Sequence, residues 1–130
     1  MRRLIAVFGM LVLLAGLASA ANVGLRVLEV PHEAAPGGAL TALVWYPTKA
    51  QTKPYTYPIR RGIKTQVALN APVSSEEGGR PLVLLSHGFG GSAAGLAYLG
   101  EALASQGFVA AGVDHLDSVQ MERSDGSEIG

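Results

Sequence analysis

The residues best placed to do chemistry form a glycine-rich turn, residues 86–91 with the sequence Ser-His-Gly-Phe-Gly-Gly, directly after an apolar run. Acyl transfer from an ester creates a negatively charged oxygen, which enzymes stabilise with backbone N–H groups fixed in advance. Glycines on both sides of Phe89 allow a turn tight enough to aim its N–H inward. We therefore predict that Phe89 is a backbone oxyanion donor whose side chain walls an acyl pocket. His87, Gly88 and Gly90 are expected beside the substrate.

A second chemistry fits the same turn. Gly88, Gly90 and Ala93 match the dinucleotide pattern G-x-G-x-x-A, and Asp114 follows 21 residues after Ala93. In this alternative the helix N-terminus holds a pyrophosphate and Asp114 holds a ribose hydroxyl. The export signal described below, the two strands that precede the turn and the bulky side chains within it favour the oxyanion interpretation. A glycine turn that binds no ligand is the third alternative.

Ser92 stands in a sequence close to the nucleophile pattern G-x-S-x-G, but the last glycine is missing. That pattern places the serine on a sharp turn at the very end of a strand. Ser92 instead comes six residues after Ser86 and just before a helical stretch. We therefore predict that Ser92 is a helix N-cap rather than a nucleophile.

The elements that must position this turn form a β-α-β unit. Residues 82–85 are continuously apolar, as in a buried strand, and residues 93–106 place leucines on one helical face. Gly107 suits the left-handed end of that helix, and residues 108–113 form a second apolar strand. Ligands of such sheets bind at the carboxyl ends of the strands, where the turn emerges.

The preceding sequence predicts an antiparallel strand pair and then a loop. Residues 23–30 alternate in polarity, and residues 40–46 are β-branched and aromatic, with a proline after each segment. Residues 48–80 contain three prolines, several basic residues and a polar Ser-Ser-Glu-Glu-Gly-Gly run. We predict that they form a long surface loop.

Residues 1–20 have the three parts of a secretory signal peptide: two arginines, an uncharged apolar stretch and a final Ala-Ser-Ala. A membrane anchor is the alternative, because the apolar stretch is just long enough to span a bilayer. We predict cleavage near Ala20, a periplasmic or secreted location, and a single domain over residues 21–130 without a stable membrane span.

Composition excludes several classes of protein. The 130 residues carry no net charge and no cysteine, 48% are hydrophobic and 15% are charged. A basic nucleic-acid binder, a disulfide scaffold, a thiol nucleophile and a cysteine zinc site are therefore not expected. We expect no cofactor, no metal and no nucleic acid, and no partner protein is evident. The oxyanion interpretation of the glycine turn implies a small-molecule ester as the ligand.

The chain resembles the platelet-activating factor acetylhydrolase family and the related bacterial predicted dienelactone hydrolases. The resemblance extends over about residues 23–118 and is carried by residues 44–48 (Val-Trp-Tyr-Pro-Thr), 81–92, 98–99, 103–109 and 113–115. Cutinase-like polyester hydrolases are similar too, but they typically have proline where this chain has His87. The resemblance implies an α/β-hydrolase fold, serine esterase chemistry on carboxylic or short-acyl lipid esters, and Phe89 as the first oxyanion donor.

One feature of that family is missing from the chain. Its nucleophile, acid and base follow in the order Ser, Asp, His beyond the matching segments. This sequence contains no complete G-x-S-x-G, and His32, His87 and His115 all precede the expected position of the base. We therefore predict the N-terminal portion of an α/β-hydrolase sheet, inactive as an esterase by itself. The strand over residues 108–113 is expected to have an open side.

Overall fold

A computed structural model describes residues 20–59, 62–76, 79–116, 121–122 and 128–129. Within these residues, eight strands and one α-helix follow in chain order: β1 (Asn22–Pro31), β2 (Ala39–Thr48), β3 (Lys53–Thr56), β4 (Lys64–Leu69), β5 (Leu82–Leu85), α1 (Ala97–Ser105), β6 (Val109–Val113), β7 (Met121–Glu122) and β8 (Glu128–Ile129). A 3₁₀ turn, Ala93–Leu96, leads into α1. The predicted signal peptide lies outside the described residues, except for Ala20. Within the described ranges, no helix is long and apolar enough to cross a membrane.

Strands β1 to β6 form one mixed sheet in the order β3-β4-β1-β2-β6-β5, and β7 pairs with β8. The predicted antiparallel pair is confirmed, because β1 and β2 are in register from Asn22↔Thr48 to Pro31↔Ala39. The predicted parallel pair is confirmed as well, with β5 beside β6 from Leu82↔Val109 onward. Because β5 and β6 run in the same direction, residues 86 and 114, which follow them, lie at the same end of the sheet, beyond the carboxyl ends of the strands.

The prediction of one long surface loop over residues 48–80 was wrong for residues 53–56 and 64–69, which are strands. This segment contributes β3 and β4, and β4 runs parallel to β1. The prolines misled the prediction because Pro54 lies inside β3, an edge strand where a missing N–H is tolerated. Val67 of β4 and Tyr57 between the two strands are buried in the main core.

The expected open side of residues 108–113 was also wrong. Strand β6 lies between β2 and β5 and is hydrogen-bonded on both sides. The edge of the sheet is β5 instead, where Leu82 and Leu84 are 60% and 76% exposed. Apolar continuity in the sequence did not distinguish the two strands, because Leu82 and Leu84 look equally suited to burial on both faces.

Helix α1 packs on one face of the sheet, directly over Trp45 of β2. The approach is so close that a Cβ at Gly100 would collide with the Trp45 ring. The helix ends as predicted at Gly107, whose φ is +99°. The Phe108 N–H donates to Leu103 O and the Gly107 N–H to Ala104 O, which is the Schellman arrangement.

Tyr57 links this helix to the sheet through its hydroxyl group. The Trp45 Nε1–H donates to Tyr57 Oη at 2.7 Å, and the Tyr57 hydroxyl donates to Glu101 Oε1 of α1 at 2.8 Å. Thr65 of β4 donates to the other carboxylate oxygen at 2.6 Å. Burial raises the pKa of the Tyr57 hydroxyl well above its ordinary value, and the Glu101 carboxylate raises this pKa further. The hydroxyl therefore keeps its proton and remains the donor to Glu101.

We predict that Tyr57→Phe lowers the free energy of unfolding by about 1–3 kcal/mol, because it leaves the buried Trp45 N–H without its acceptor. The measurement is denaturant unfolding followed by the fluorescence of Trp45, the chain's single tryptophan. Tyr55→Phe is the matched control. Among the described residues its hydroxyl makes no hydrogen bond, and the loss should stay within about 0.5 kcal/mol. Equal losses would contradict the assigned role of the Tyr57 hydroxyl.

Candidate active site: the glycine loop and its anchors

The glycine loop, residues 86–91, leaves the carboxyl end of β5 and closes in a tight turn. The Gly91 N–H donates to Gly88 O at 3.0 Å, and Gly90, the third residue of the turn, has a φ of +75°. A positive φ at that position is what a type II turn requires, which explains the glycine there. Phe89 lies at the tip with its side chain 86% exposed. Within the described residues, its N–H has no hydrogen-bond partner.

His87 is buried beneath this turn, with 7% of its surface exposed. Its Nε2 lies 3.1 Å from the backbone N of His115, whose N–H can only donate. Nε2 is therefore the unprotonated nitrogen, and the ring carries its hydrogen on Nδ1. Nδ1 lies 3.0 Å from Gly88 O, to which it donates. His87 thus connects the start of the turn to the chain that follows β6.

His115 approaches the loop from the end of β6. Its ring stacks on that of His87, with centroids 3.9 Å apart and an angle of 23° between the planes. Its Nε2 lies 3.1 Å from Ser86 Oγ. The sequence argument missed this Ser86–His115 pair. The predicted parallel pairing of the two strands brings both loops to the same end of the sheet, but the contact also depends on the register Leu85↔Gly112, which comes from the structure.

Asp114 is the candidate ribose ligand of the dinucleotide alternative. In the structure its carboxylate is buried and accepts a hydrogen bond from the backbone of the same domain. It is 5% exposed, and its Oδ1 accepts the N–H of Ala93 at 2.8 Å. Its own N–H donates to Thr41 O at 2.9 Å. The carboxylate thus occupies the start of the helix, where a pyrophosphate would have to bind. This geometry gives the dinucleotide alternative no support.

Ser92 caps the 3₁₀ turn, as the sequence predicted. Its Oγ accepts the N–H of Gly95 at 3.3 Å, and the residue is 7% exposed. Neither His87 nor His115 contacts it among the hydrogen bonds of the described residues. The nucleophile role that its sequence context suggested therefore has no base here.

The site brings together a glycine turn, an exposed aromatic tip and two stacked histidines at the carboxyl edge of a mixed sheet. A six-stranded mixed sheet with one helix packed on it in this way is a partial α/β-hydrolase fold. A family model described as "Platelet-activating factor acetylhydrolase, isoform II" matches residues 53–123, more than half of the chain. The chain belongs to this family, and the resemblance found in the sequence is confirmed.

A solved structure supports the same fold. The chain is similar to a ferulic acid esterase from Streptomyces cinnamoneus, with a TM-score of 0.66 and 27% sequence identity. The match covers 88% of this chain and 39% of the esterase chain. The chain therefore spans well under half the length of that relative.

We predict that Asp114→Ala lowers the free energy of unfolding by about 1–3 kcal/mol, because the Ala93 N–H loses a charged acceptor at a helix start. Asp114→Asn keeps an oxygen acceptor and should lose less of the free energy of unfolding.

Calorimetry with NAD on the unmodified protein tests the dinucleotide alternative, and no binding heat is expected. Binding that disappears in Asp114→Ala would instead support the dinucleotide alternative.

Proposed function

We propose that this chain supplies the oxyanion loop of an exported serine ester hydrolase. We also propose that the nucleophile, acid and base belong to sequence outside the chain. The observation that carries the proposal is the Phe89 N–H at the tip of the glycine loop, without a partner among the described residues, in a member of this family. The substrate class is a carboxylic ester, either a small molecule or a short-acyl lipid. An ester carbonyl is common to the acetylhydrolases of the family description and to the ferulic acid esterase.

In this mechanism the ester carbonyl oxygen lies against the glycine loop. When a serine oxygen attacks the carbonyl carbon, the carbonyl oxygen becomes negative and accepts a hydrogen bond from the Phe89 N–H. A second donor comes from the residue after the nucleophile in such folds. The exposed Phe89 ring, flanked by glycines, is then free to wall the acyl side of the pocket. Gly88 and Gly90 lie beside the substrate. His87 lies beneath the turn rather than against the substrate, because it is buried and both of its ring nitrogens are hydrogen-bonded inside the fold.

The Ser86–His115 pair is the strongest competing candidate for a nucleophile and its base, because their side chains lie within hydrogen-bond reach. An activated serine also needs its histidine to be oriented by a third group, usually a carboxylate. Here the ring is oriented by stacking on His87, and no carboxylate contacts the His115 ring among the described residues. We therefore assign the pair to the support of the loop.

The test compares two changes at Phe89 in a polypeptide that contains this chain and hydrolyses a short-chain nitrophenyl ester. Phe89→Pro should lower kcat by about 10²–10³, because proline removes the N–H donor. Proline is well suited to the second position of a type II turn, so the turn itself should persist. Phe89→Ala is the matched control. It removes the ring, keeps the N–H and should have a mild effect.

Two results would contradict the proposal. Equal large losses in both Phe89 variants would show that the side chain, not the amide, is required. Covalent labelling of Ser86 or Ser92 by a fluorophosphonate, with ester turnover by residues 21–130 alone, would show that this chain contains its own nucleophile. The expected result is no turnover above background for residues 21–130.

We further propose that residues 1–20 direct export and are removed near Ala20. The support is the sequence alone: the basic start, the apolar stretch and the small residues at its end. N-terminal sequencing of the protein from the periplasm or the medium should begin at Ala21. An intact Met1 in the membrane fraction would identify a membrane anchor instead.

A further inference from the structure

The carbonyl of Gly88 has two donors, and both belong to the glycine loop. One is the Gly91 N–H that closes the turn, at 3.0 Å. The other is His87 Nδ1, also at 3.0 Å. A carbonyl oxygen has two lone pairs, so this acceptor is fully used. Both contacts therefore fix the orientation of one particular peptide group.

That peptide group is the one that carries the Phe89 N–H. The Gly88 C=O and the Phe89 N–H belong to a single planar trans unit, in which they point in opposite directions. Fixing the carbonyl beneath the turn therefore fixes the direction of the N–H at the tip. A hydrogen bond to the carbonyl also polarises the amide, which makes its N–H a stronger donor.

The backbone of His115 determines which nitrogen of His87 can act in this way. Its N–H donates to His87 Nε2, so the neutral ring must carry its hydrogen on Nδ1. Stacking of the two rings and the contact between His115 and Ser86 hold the pair in place. The space is tight, because a Cβ at Gly91 would lie 3.0 Å from Gly88 O and 3.3 Å from His87 Nδ1.

We propose that His87 is a positioning residue for the oxyanion donor. Its Nδ1–H orients and polarises the Gly88–Phe89 peptide, and the His115 N–H fixes the tautomer that allows this. Its catalytic consequence rests on the proposed function, since it acts only through the Phe89 N–H. The ring-to-peptide contact itself is independent of any hydrolysis.

The first test is spectroscopic and uses the complete polypeptide that contains this chain, labelled with ¹⁵N-histidine. Long-range ¹H–¹⁵N spectra near neutral pH should show His87 protonated on Nδ1 and unprotonated on Nε2. The opposite tautomer would overturn the proposal, because Nδ1 would then have no hydrogen to donate. This measurement needs no substrate, so it remains decisive even if the polypeptide hydrolyses no ester.

The second test compares two isosteric variants in the same polypeptide. The amide nitrogen of His87→Asn occupies the position of Nδ1 and can still donate to Gly88 O. His87→Gln reaches the position of Nε2 and can only replace the acceptor for the His115 N–H. We expect kcat of the Asn variant within about 3-fold of the parent and a loss of about 10-fold for Gln, with KM unchanged in both.

Two kinetic outcomes would overturn the proposal. Equal losses of kcat in the Asn and Gln variants would show that His87 merely fills space beneath the loop. A change confined to KM would show that it binds substrate without acting on the developing oxyanion. Absence of ester hydrolysis in the parent, with the predicted tautomer present, would refute the proposed function alone.

Discussion

The contact between Trp45 and Tyr57 is the interaction on which the rest of the structure depends. Trp45 lies at the centre of the sheet, between Leu25 of β1 and Ala110 of β6, and its indole N–H is buried. A buried donor without an acceptor is costly, so the chain must bring one to it. The Tyr57 hydroxyl oxygen is that acceptor, and the same hydroxyl donates a hydrogen bond to Glu101 of α1. One side chain thereby fixes the helix, the central strand and the segment between β3 and β4 to one another.

The same contact explains why residues 48–80 could not be predicted from their own sequence. The strands β3 and β4 contain one proline and two lysines, and Val67 is the one strongly buried β-branched residue in them. Their stability comes from pairing with β1 and from the bonds of Tyr57 and Thr65 to Glu101, 44 and 36 residues away. Tertiary contacts of that range override local propensity. In contrast, β1, β2 and the β-α-β unit are encoded by local patterns that the sequence shows directly.

In the candidate site, too, some features were predictable from the sequence and others were not. The glycine spacing predicted the turn, and Ser92 and Gly107 predicted the helix ends, because each depends on the conformational preference of a single residue. The histidine stack was not predictable from those preferences. It depends on the register of β5 against β6, which places His115 opposite the loop only once the parallel pairing is known. Strand order had to come from the structure for the same reason, since β6 and β5 are almost equally apolar in sequence.

Two consecutive residues after β6 hold opposite ends of the glycine loop. The Asp114 carboxylate binds the Ala93 N–H beyond the loop, while the His115 backbone and ring bind His87 and Ser86 at its beginning. Neighbouring side chains at a strand end point to opposite sides, so a single short segment can reach both anchors. Residues 88–92, which are the turn and the cap residue Ser92, lie between the anchored residues His87 and Ala93. A donor that must be fixed before the reaction begins is best carried by a turn whose two ends are attached to one strand. The placement of Phe89 within that turn supports the proposal that its N–H is the oxyanion donor.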